Sequence, residues 1–297
     1  MTSFWSYWIS IITLGSIFGC LFILYLAYKS QNPNESEETT GHVYDGIEEY
    51  DNPMPQWWVL MFILTSIFGL AYLFLYPGLG NYKGILNWTS TGHLEQEVKE
   101  ANAKYDPIFA NYAKQPIIKL AQDPEAMKVG QRLFSHNCAV CHGSTGRGAL
   151  GFPNLTDQDW LYGGEPKTIE TTILNGRHGQ MPAKGLKPDM TADDINNLTH
   201  YLLSFSGRSD DATSIEHGKK LFQVACAACH GADAKGNKMI GSANLTDNTW
   251  LYGSTYAKIN QTITFGRSGV MPAKKDLLGE DKVHLVAAYV YSLSHKK

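Results

Sequence analysis

Two short stretches decide the fold of this chain: Cys138-Ala-Val-Cys141-His142 and Cys226-Ala-Ala-Cys229-His230. On a helical turn, positions i, i+3 and i+4 share one face, so both thiols and the imidazole point the same way. This spacing is the attachment signature of a c-type haem, in which the thiols bind the vinyl groups and the histidine binds the iron. A zinc site would need further Cys or His at matching spacing, and a thioredoxin-like site would need a βαβ context. The sequence therefore predicts two covalently bound haem c groups.

The two stretches lie in a repeat. Asn154–Gly163 returns ninety residues later as Asn244–Gly253, with most of its residues unchanged. In both copies, apolar residues at helical spacing and Gly- and Pro-rich loops predict short helices and no strands. The sequence therefore predicts two tandem haem domains, 124–210 and 211–297, each with a small core that a central cofactor would complete.

Each copy also has one Met-Pro in a glycine-containing loop downstream of its histidine. A thioether opposite a histidine raises the reduction potential of the iron, which suits an electron carrier. The predicted axial ligands are His142, Met181, His230 and Met271. His178, three residues before the first of these methionines, is an alternative ligand in the first copy and would lower the potential of that haem. Ser268 stands at the corresponding place in the second copy.

No catalytic group accompanies the haem motifs. The sequence has no P-loop, dinucleotide-binding or nucleophile motif, and its carboxylates form no recurring pair. Arg177 and Arg267 occupy equivalent places beside the Met-Pro loops, where each could pair with a haem propionate or be an exposed loop cation. Two six-coordinate irons without a catalytic residue predict a chain that carries electrons.

Residues 1–82 are predicted to form a membrane anchor. Phe4–Tyr28 has no charged residue, and its 25 residues would cross a hydrocarbon core of about 30 Å as a helix. A second uncharged stretch predicts a span over about 56–77. No Lys or Arg precedes the first span and no small-residue cleavage site follows it, which favours a retained anchor over a signal peptide. The acidic residues of the predicted loop between the spans, 29–55, are Glu35, Glu37, Glu38, Asp45, Glu48, Glu49 and Asp51.

The chain averages conceal these unlike parts. Mean hydropathy is −0.23 and net charge is −3 over 297 residues. Residues 1–125 carry a net charge of −7, residues 126–210 are neutral, and residues 211–297 carry +4. A nearly neutral chain lacks the basic surface that nucleic-acid binding requires, so no nucleic acid is expected as a partner.

The sequence resembles the dihaem subunit III (CcoP/FixP type) of cbb3-type cytochrome c oxidases, over most of its length. The most specific part is Asp45-Gly-Ile-Glu-Glu-Tyr-Asp-Asn-Pro-Met-Pro-Gln-Trp-Trp58, which leads into the second span, together with Tyr76-Pro-Gly-Leu-Gly-Asn81 at its end. The additional span at Phe4–Tyr28 resembles the variant of that subunit with a membrane hairpin. The haem motifs are less specific, because many cytochromes share them.

The resemblance implies a mainly α fold, with an N-terminal transmembrane helix hairpin followed by two tandem class I cytochrome c-like domains. It implies that Cys138, Cys141, His142 and Met181 hold one haem c, and that Cys226, Cys229, His230 and Met271 hold the other. The implied partners are a haem–copper catalytic subunit, a monohaem cytochrome c subunit, a periplasmic donor cytochrome c and membrane lipid. The implied location is the bacterial inner membrane, with two spans, a cytoplasmic loop 29–55, periplasmic haem domains and a linker, 83–123, along partner subunits.

One departure concerns the histidines. Small c-type cytochromes commonly place a Pro whose carbonyl accepts a hydrogen bond from the ligand His. Pro153 fits, but Ala243 stands at the corresponding position of the second copy. Because a backbone carbonyl survives that exchange, we expect the hydrogen bond in both copies.

Two other functions are compatible with the haem motifs alone. A membrane-anchored dihaem cytochrome could serve another periplasmic enzyme, such as a dehydrogenase or a quinol-oxidising complex. A dihaem peroxidase would need an iron with an open or displaceable sixth position, whereas both copies here offer a methionine.

Overall fold

The computed structural model describes residues 1–31 and 39–295. It divides into two compact units, Met1–Ala103 and Lys104–Lys297. Three acidic residues of the predicted loop, Glu35, Glu37 and Glu38, lie outside the described residues. Helices predominate in the described chain, which confirms a mainly α fold.

The first unit contains two long apolar helices with a β-hairpin between them. These elements are α1 (Ser3–Ser30), β1 (Thr39–Tyr44), β2 (Ile47–Tyr50) and α2 (Gln56–Leu75). Both helices are long and apolar enough to cross a membrane. The hairpin was not predicted within the acidic loop. It forms because Asp45 and Gly46 both adopt positive φ, the backbone that a tight two-residue turn requires.

The two apolar helices run antiparallel. At one end the Asn81 amide donates to Ser6 Oγ at 2.8 Å, and at the other the Met54 amide donates to Gln31 Oε1 at 2.6 Å. Gly80 has a φ of +60°, and a Cβ there would overlap the Ser6 backbone, so the chain can return past the start of α1 only as glycine. Apart from Leu24, the side chains of these helices are not buried within the chain, so their apolar surface is available to lipid or to other subunits.

The helices after the anchor have between 4 and 24 residues, and the two strands of the second unit carry the Met-Pro methionines. The elements from the end of the anchor onward are α3 (Ser90–Ala113), α4 (Ile117–Leu120), α5 (Pro124–Asn137), α6 (Ala139–His142), α7 (Pro166–Asn175), β3 (Arg177–Met181), α8 (Ala192–Ser204), α9 (Ala212–Ala225), α10 (Ala227–His230), α11 (Tyr256–Phe265), β4 (Arg267–Met271) and α12 (Lys275–Ser294). Helix α5 begins at a capped end: the Asp123 side chain accepts from the Glu125 and Ala126 amides, and Pro124 occupies the first turn.

Each hydrophobic core of this unit takes helices from both repeats. The first core joins α4, which precedes the repeats, and α5 and α7 of the first repeat to α12 of the second. The second core joins α9 and α11 of the second repeat to α8 of the first. The expectation that each repeat closes its own core therefore differs from the observed packing.

Two equivalent helix contacts show how close this exchanged packing is. In the first core a Cβ at Gly130 would overlap Tyr289, whose ring lies 5.4 Å from the Phe134 ring. In the second core a Cβ at Gly218 would overlap Tyr201, whose ring lies 5.5 Å from Phe222. Because α8 and α12 carry the same apolar pattern, either helix can complete either core, and the connection between them decides which one does.

That connection is a two-stranded antiparallel ladder. β3 pairs with β4 in the register Arg177↔Met271, Gly179↔Gly269 and Met181↔Arg267. Beyond β3 the Lys184 amide donates to the Ile263 carbonyl at 2.7 Å, and beyond β4 the Lys274 amide donates to the Ile173 carbonyl at 2.9 Å. Each strand therefore takes its chain across to the other core. The prediction of no strands in the repeats was wrong, because a crossing of five residues is too short to show a period-two pattern.

Candidate haem centres

The two Cys-x-x-Cys-His stretches fold identically. In each, the first cysteine ends a long helix and begins a single helical turn, α6 or α10, which terminates at a glycine of positive φ, Gly143 or Gly231. This turn brings the thiols and the imidazole of each stretch to one face, as their spacing predicted.

Both histidines are oriented by a backbone carbonyl. His142 Nδ1 donates to the Pro153 carbonyl at 2.9 Å, and His230 Nδ1 donates to the Ala243 carbonyl at 2.9 Å. The expected hydrogen bond is thus confirmed in both copies, and the exchange of Pro for Ala leaves its length unchanged. A ring whose Nδ1 donates presents the lone pair of Nε2, which is the form that binds a metal.

The first cysteine of each stretch, Cys138 or Cys226, packs against a hydrophobic core. Burial raises the pKa of the Cys226 thiol to about 11 and raises that of the Cys138 thiol as well. Burial lowers the pKa of His230, although the bond to the Ala243 carbonyl opposes this. A neutral imidazole in a dry pocket is suited to iron ligation, and the surrounding apolar side chains suit the faces of a porphyrin.

The candidate sixth ligands lie on the two strands β3 and β4. Arg177 and Met181 are half-buried on one face of β3, whereas His178 between them is exposed on the other face. Met271 packs against the first core, as do Cys138 and Trp160. Met181 lies opposite Arg267 in the ladder, at the end where the chain enters the second core. The exchanged packing thus brings Met271, not Met181, to the core of His142.

The polar groups around the first centre fit the carboxylates of a haem. Among the described residues, the Trp160 indole Nε1 is the one buried side-chain nitrogen or oxygen without a hydrogen-bond partner. A buried donor of this kind is costly unless it meets an acceptor, and a propionate supplies one. At the equivalent place in the second copy, Trp250 Nε1 donates to the Asp247 carbonyl at 3.1 Å.

The two arginines are held in matching settings. Arg177 Nε donates to Thr172 Oγ1 at 2.9 Å, and its guanidinium lies 4.4 Å from the centre of the Tyr162 ring. Arg267 repeats both contacts, with Thr262 at 3.0 Å and with Tyr252 at 4.5 Å. Both guanidinium groups are half-buried on strands, which favours the propionate interpretation over that of exposed loop cations.

Sequence reasoning did not single out these tyrosines, threonines and tryptophans. Their signal was present in the repeat, since Trp160 and Tyr162 return as Trp250 and Tyr252. Identity between the copies alone could not distinguish residues that pack from residues that contact a cofactor, and the contacts of the folded chain were needed.

Family models match most of the chain. Residues 36–83 match the N-terminal domain of cytochrome oxidase-cbb3, FixP. Residues 125–202 and 213–290 each match cytochrome c oxidase, cbb3-type, subunit III.

Whole-chain relatives agree with these matches. The chain is 44% identical to the cbb3-type cytochrome c oxidase subunit CcoP of Rubrivivax gelatinosus, over 98% of this chain and 95% of the relative. It is 37% identical to the CcoP subunit of Cereibacter sphaeroides, over 89% and 96% of the two chains. It is 38% identical to the FixP subunit of a Bradyrhizobium strain, over 87% and 95%.

Proposed function

Because the chain belongs to the cbb3-type cytochrome c oxidase subunit III family, we propose that it passes electrons through two haem c groups toward the oxygen-reducing subunit. The observation that carries the proposal is the pair of matching centres, each with two thiols, a histidine bonded to a carbonyl at 2.9 Å and an adjacent Met strand. The chain itself contributes no catalytic residue and acts as a carrier within an oxidoreductase complex.

A haem attached at Cys138 and Cys141 would be held by His142 and Met271. A haem attached at Cys226 and Cys229 would be held by His230 and Met181. This pairing crosses between the repeats and departs from the pairing that the resemblance implied. Its support is the packing of Met271 against the first core and the register of the β3–β4 ladder.

A haem c with His and Met ligands supplies a one-electron couple at a potential suited to electron transfer and needs no open coordination position. The chain's own groups tune that couple. The carbonyl bonds of His142 and His230 fix the imidazole orientation and raise the basicity of Nε2. Trp160, Arg177 and Arg267 would receive the propionates and keep their charge satisfied.

The two repeats, 124–210 and 211–297, form tandem class I cytochrome c-like domains by sequence, and exchange their C-terminal helices in space. Helices α1 and α2 anchor the chain as a two-pass hairpin in the bacterial inner membrane. Haem c is attached outside the cytoplasm, so the chain after Tyr82 is periplasmic and the loop 29–55 is cytoplasmic. The partners are the haem–copper subunit, a monohaem cytochrome c subunit and a donor cytochrome c, and the linker 83–123 lies along the partner subunits.

Purification of the intact membrane complex tests this function. We expect the chain to copurify with a subunit that contains haem b and copper, and mass spectrometry to show two haem groups on this chain. A complex without that subunit would favour a dihaem cytochrome that serves another enzyme. Rapid reaction of the isolated chain with peroxide would favour a peroxidase.

A further inference from the structure

Two tyrosines connect the haem centres to each other. Tyr162, in the first repeat, lies under the Arg177 guanidinium of the first centre. The same ring lies against Gly241 of the second repeat so closely that a Cβ on this glycine would overlap it. Gly241 has a φ of +71°, so both the backbone and the ring require glycine at this position.

Gly241 belongs to the loop that orients the histidine of the second centre. Two residues farther along, the Ala243 carbonyl accepts the hydrogen bond from His230 Nδ1 at 2.9 Å. Between them, Ser242 Oγ donates to the Cys229 carbonyl, and Asn237 and Ser242 form a backbone bridge. Among these contacts, that of Tyr162 is the one that reaches the loop from the other repeat.

The equivalent contact at the first centre, between Tyr252 and Gly151, is less close. Tyr252 lies under Arg267 and faces Gly151, two residues before the Pro153 carbonyl that accepts from His142. A Cβ at Gly151 would stand 3.4 Å from the Tyr252 ring, which is a tight but tolerable contact. A second link, from the Gly151 amide to the Leu251 carbonyl at 2.8 Å, supports this loop as well.

From this arrangement we propose that Tyr162 and Tyr252 are positioning residues, each of which holds the histidine loop of the opposite haem centre. The proposal rests on the proposed function, since it assumes a haem at each histidine. Tyr162 acts on His230 through Gly241 and Ala243, and Tyr252 acts on His142 through Gly151 and Pro153. Loss of either ring frees the carbonyl and weakens the Nδ1 hydrogen bond, so that less electron density reaches the iron-binding Nε2.

The test uses the full chain with both haems, after mass spectrometry and the absorption spectrum have established two His/Met haems in the wild type. In Tyr162→Leu we expect the hydrogen exchange of His230 Nδ1–H, followed by NMR, to quicken by about tenfold. The potential of that haem should rise, because weaker donation by the histidine favours ferrous iron. His142 should keep its exchange rate. Tyr162→Phe retains the ring and should restore both values.

Tyr252→Leu supplies the matched comparison. It should quicken exchange at His142 and leave His230 unchanged, with a smaller effect because the Gly151 amide has its own support. Tyr162→Met keeps more side-chain length against Gly241 than Tyr162→Leu does, and if the Leu variant does not fold, the Met variant should change exchange at His230 alone.

Three results would overturn the proposal: equal changes at both histidines in Tyr162→Leu, a change at His142 alone, or a Tyr162→Phe variant that behaves as the Leu variant does. Fewer than two haems on the wild-type chain would instead refute the proposed function, and this measurement is made before any tyrosine is changed.

Discussion

The two proposed haem centres have the same kinds of candidate ligand and differ in the residues around them. The histidine–carbonyl distance is 2.9 Å in both, and the arginine–tyrosine distances are 4.4 and 4.5 Å. On the propionate side, however, Trp160 retains an unpaired buried donor, whereas Trp250 donates to the Asp247 carbonyl. The repeat thus keeps the proposed iron ligands of the same kind and varies the polar groups that can make one reduction potential differ from the other.

The cores around these centres differ as well. In the first core, His284 of α12 donates from Nδ1 to Glu170 Oε1 and from Nε2 to the Gln115 carbonyl, both at 2.8 Å. Lys167 completes the group with a 2.9 Å bond to the same carboxylate. This network ties the exchanged helix α12 to α7 and to the segment before α4. The first core is therefore closed by polar contacts in addition to apolar packing.

The largest effect expected concerns the exchange itself. A protease site inserted between Gly207 and Arg208 would cut the chain between α8 and α9. Because each core contains helices from both sides of the cut, the two fragments should stay together on size exclusion without denaturant and separate only when it is added. Fragments that part under native conditions would show that each repeat closes its own core.

The next effect concerns the crossed ligands. Met271→His should lower the potential of one haem by on the order of 0.1–0.3 V while both haems stay attached. NMR of the histidine ring should identify the affected centre as that of His142. Met181→His is the matched variant and should affect the centre of His230. If Met271→His instead affected the centre of His230, and Met181→His that of His142, the ligands would pair within each repeat. An unchanged redox titration would show that the methionine is not a ligand.

A smaller effect concerns the polar network of the first core. Burial alone would raise the pKa of Glu170, but the hydrogen bonds from Lys167 and His284 outweigh it and hold the pKa below its ordinary value of 4.5. The ionised carboxylate therefore stabilises the fold above that pH, and the stability falls as acid protonates it. Glu170→Gln should remove about 1 kcal/mol of this acid dependence from thermal unfolding measured between pH 2 and pH 6, because the pKa of Glu170 in the folded chain lies below 4.5.

Glu216→Gln is the control for this prediction. Glu216 forms an exposed pair with Lys220 at 3.4 Å in the second repeat, and solvent screens such pairs. Its removal should leave the pH profile of unfolding as in the wild type. Equal profiles for the two variants would contradict the role given to the Glu170 network.

The smallest effect concerns the unpaired indole. Trp160→Phe removes a hydrogen-bond donor to a propionate, so the negative charge of the propionate is less well stabilised. Because this favours ferric iron, the reduction potential of the first haem should fall by on the order of tens of mV. Trp250→Phe should leave the second potential nearly unchanged, because that indole already bonds to a carbonyl. Potentiometric titration of both variants measures the difference, and equal shifts would remove the distinction between the two centres.

Much of this molecule could be predicted from local sequence. The apolar helix predicted over Phe4–Tyr28 is observed at Ser3–Ser30, and that predicted over 56–77 is observed at Gln56–Leu75. The β-hairpin with its turn at Asp45 and Gly46 was not predicted, because its strands are exposed on both faces and carry no alternation of apolar residues.

What the sequence by itself determined is everything that lies within a short reach along the chain. The Cys-x-x-Cys-His turns are local structures. The carbonyls that orient the histidines are also close in sequence: Pro153 is 11 residues after His142, and Ala243 is 13 residues after His230. Only the tertiary structure decided that Met271 packs against the core of the first centre. Because α8 and α12 have the same apolar pattern, each core could be completed by either helix. The pairing of β3 with β4 leads the chain from each repeat to the core of the other, so α12 completes the first core and α8 the second.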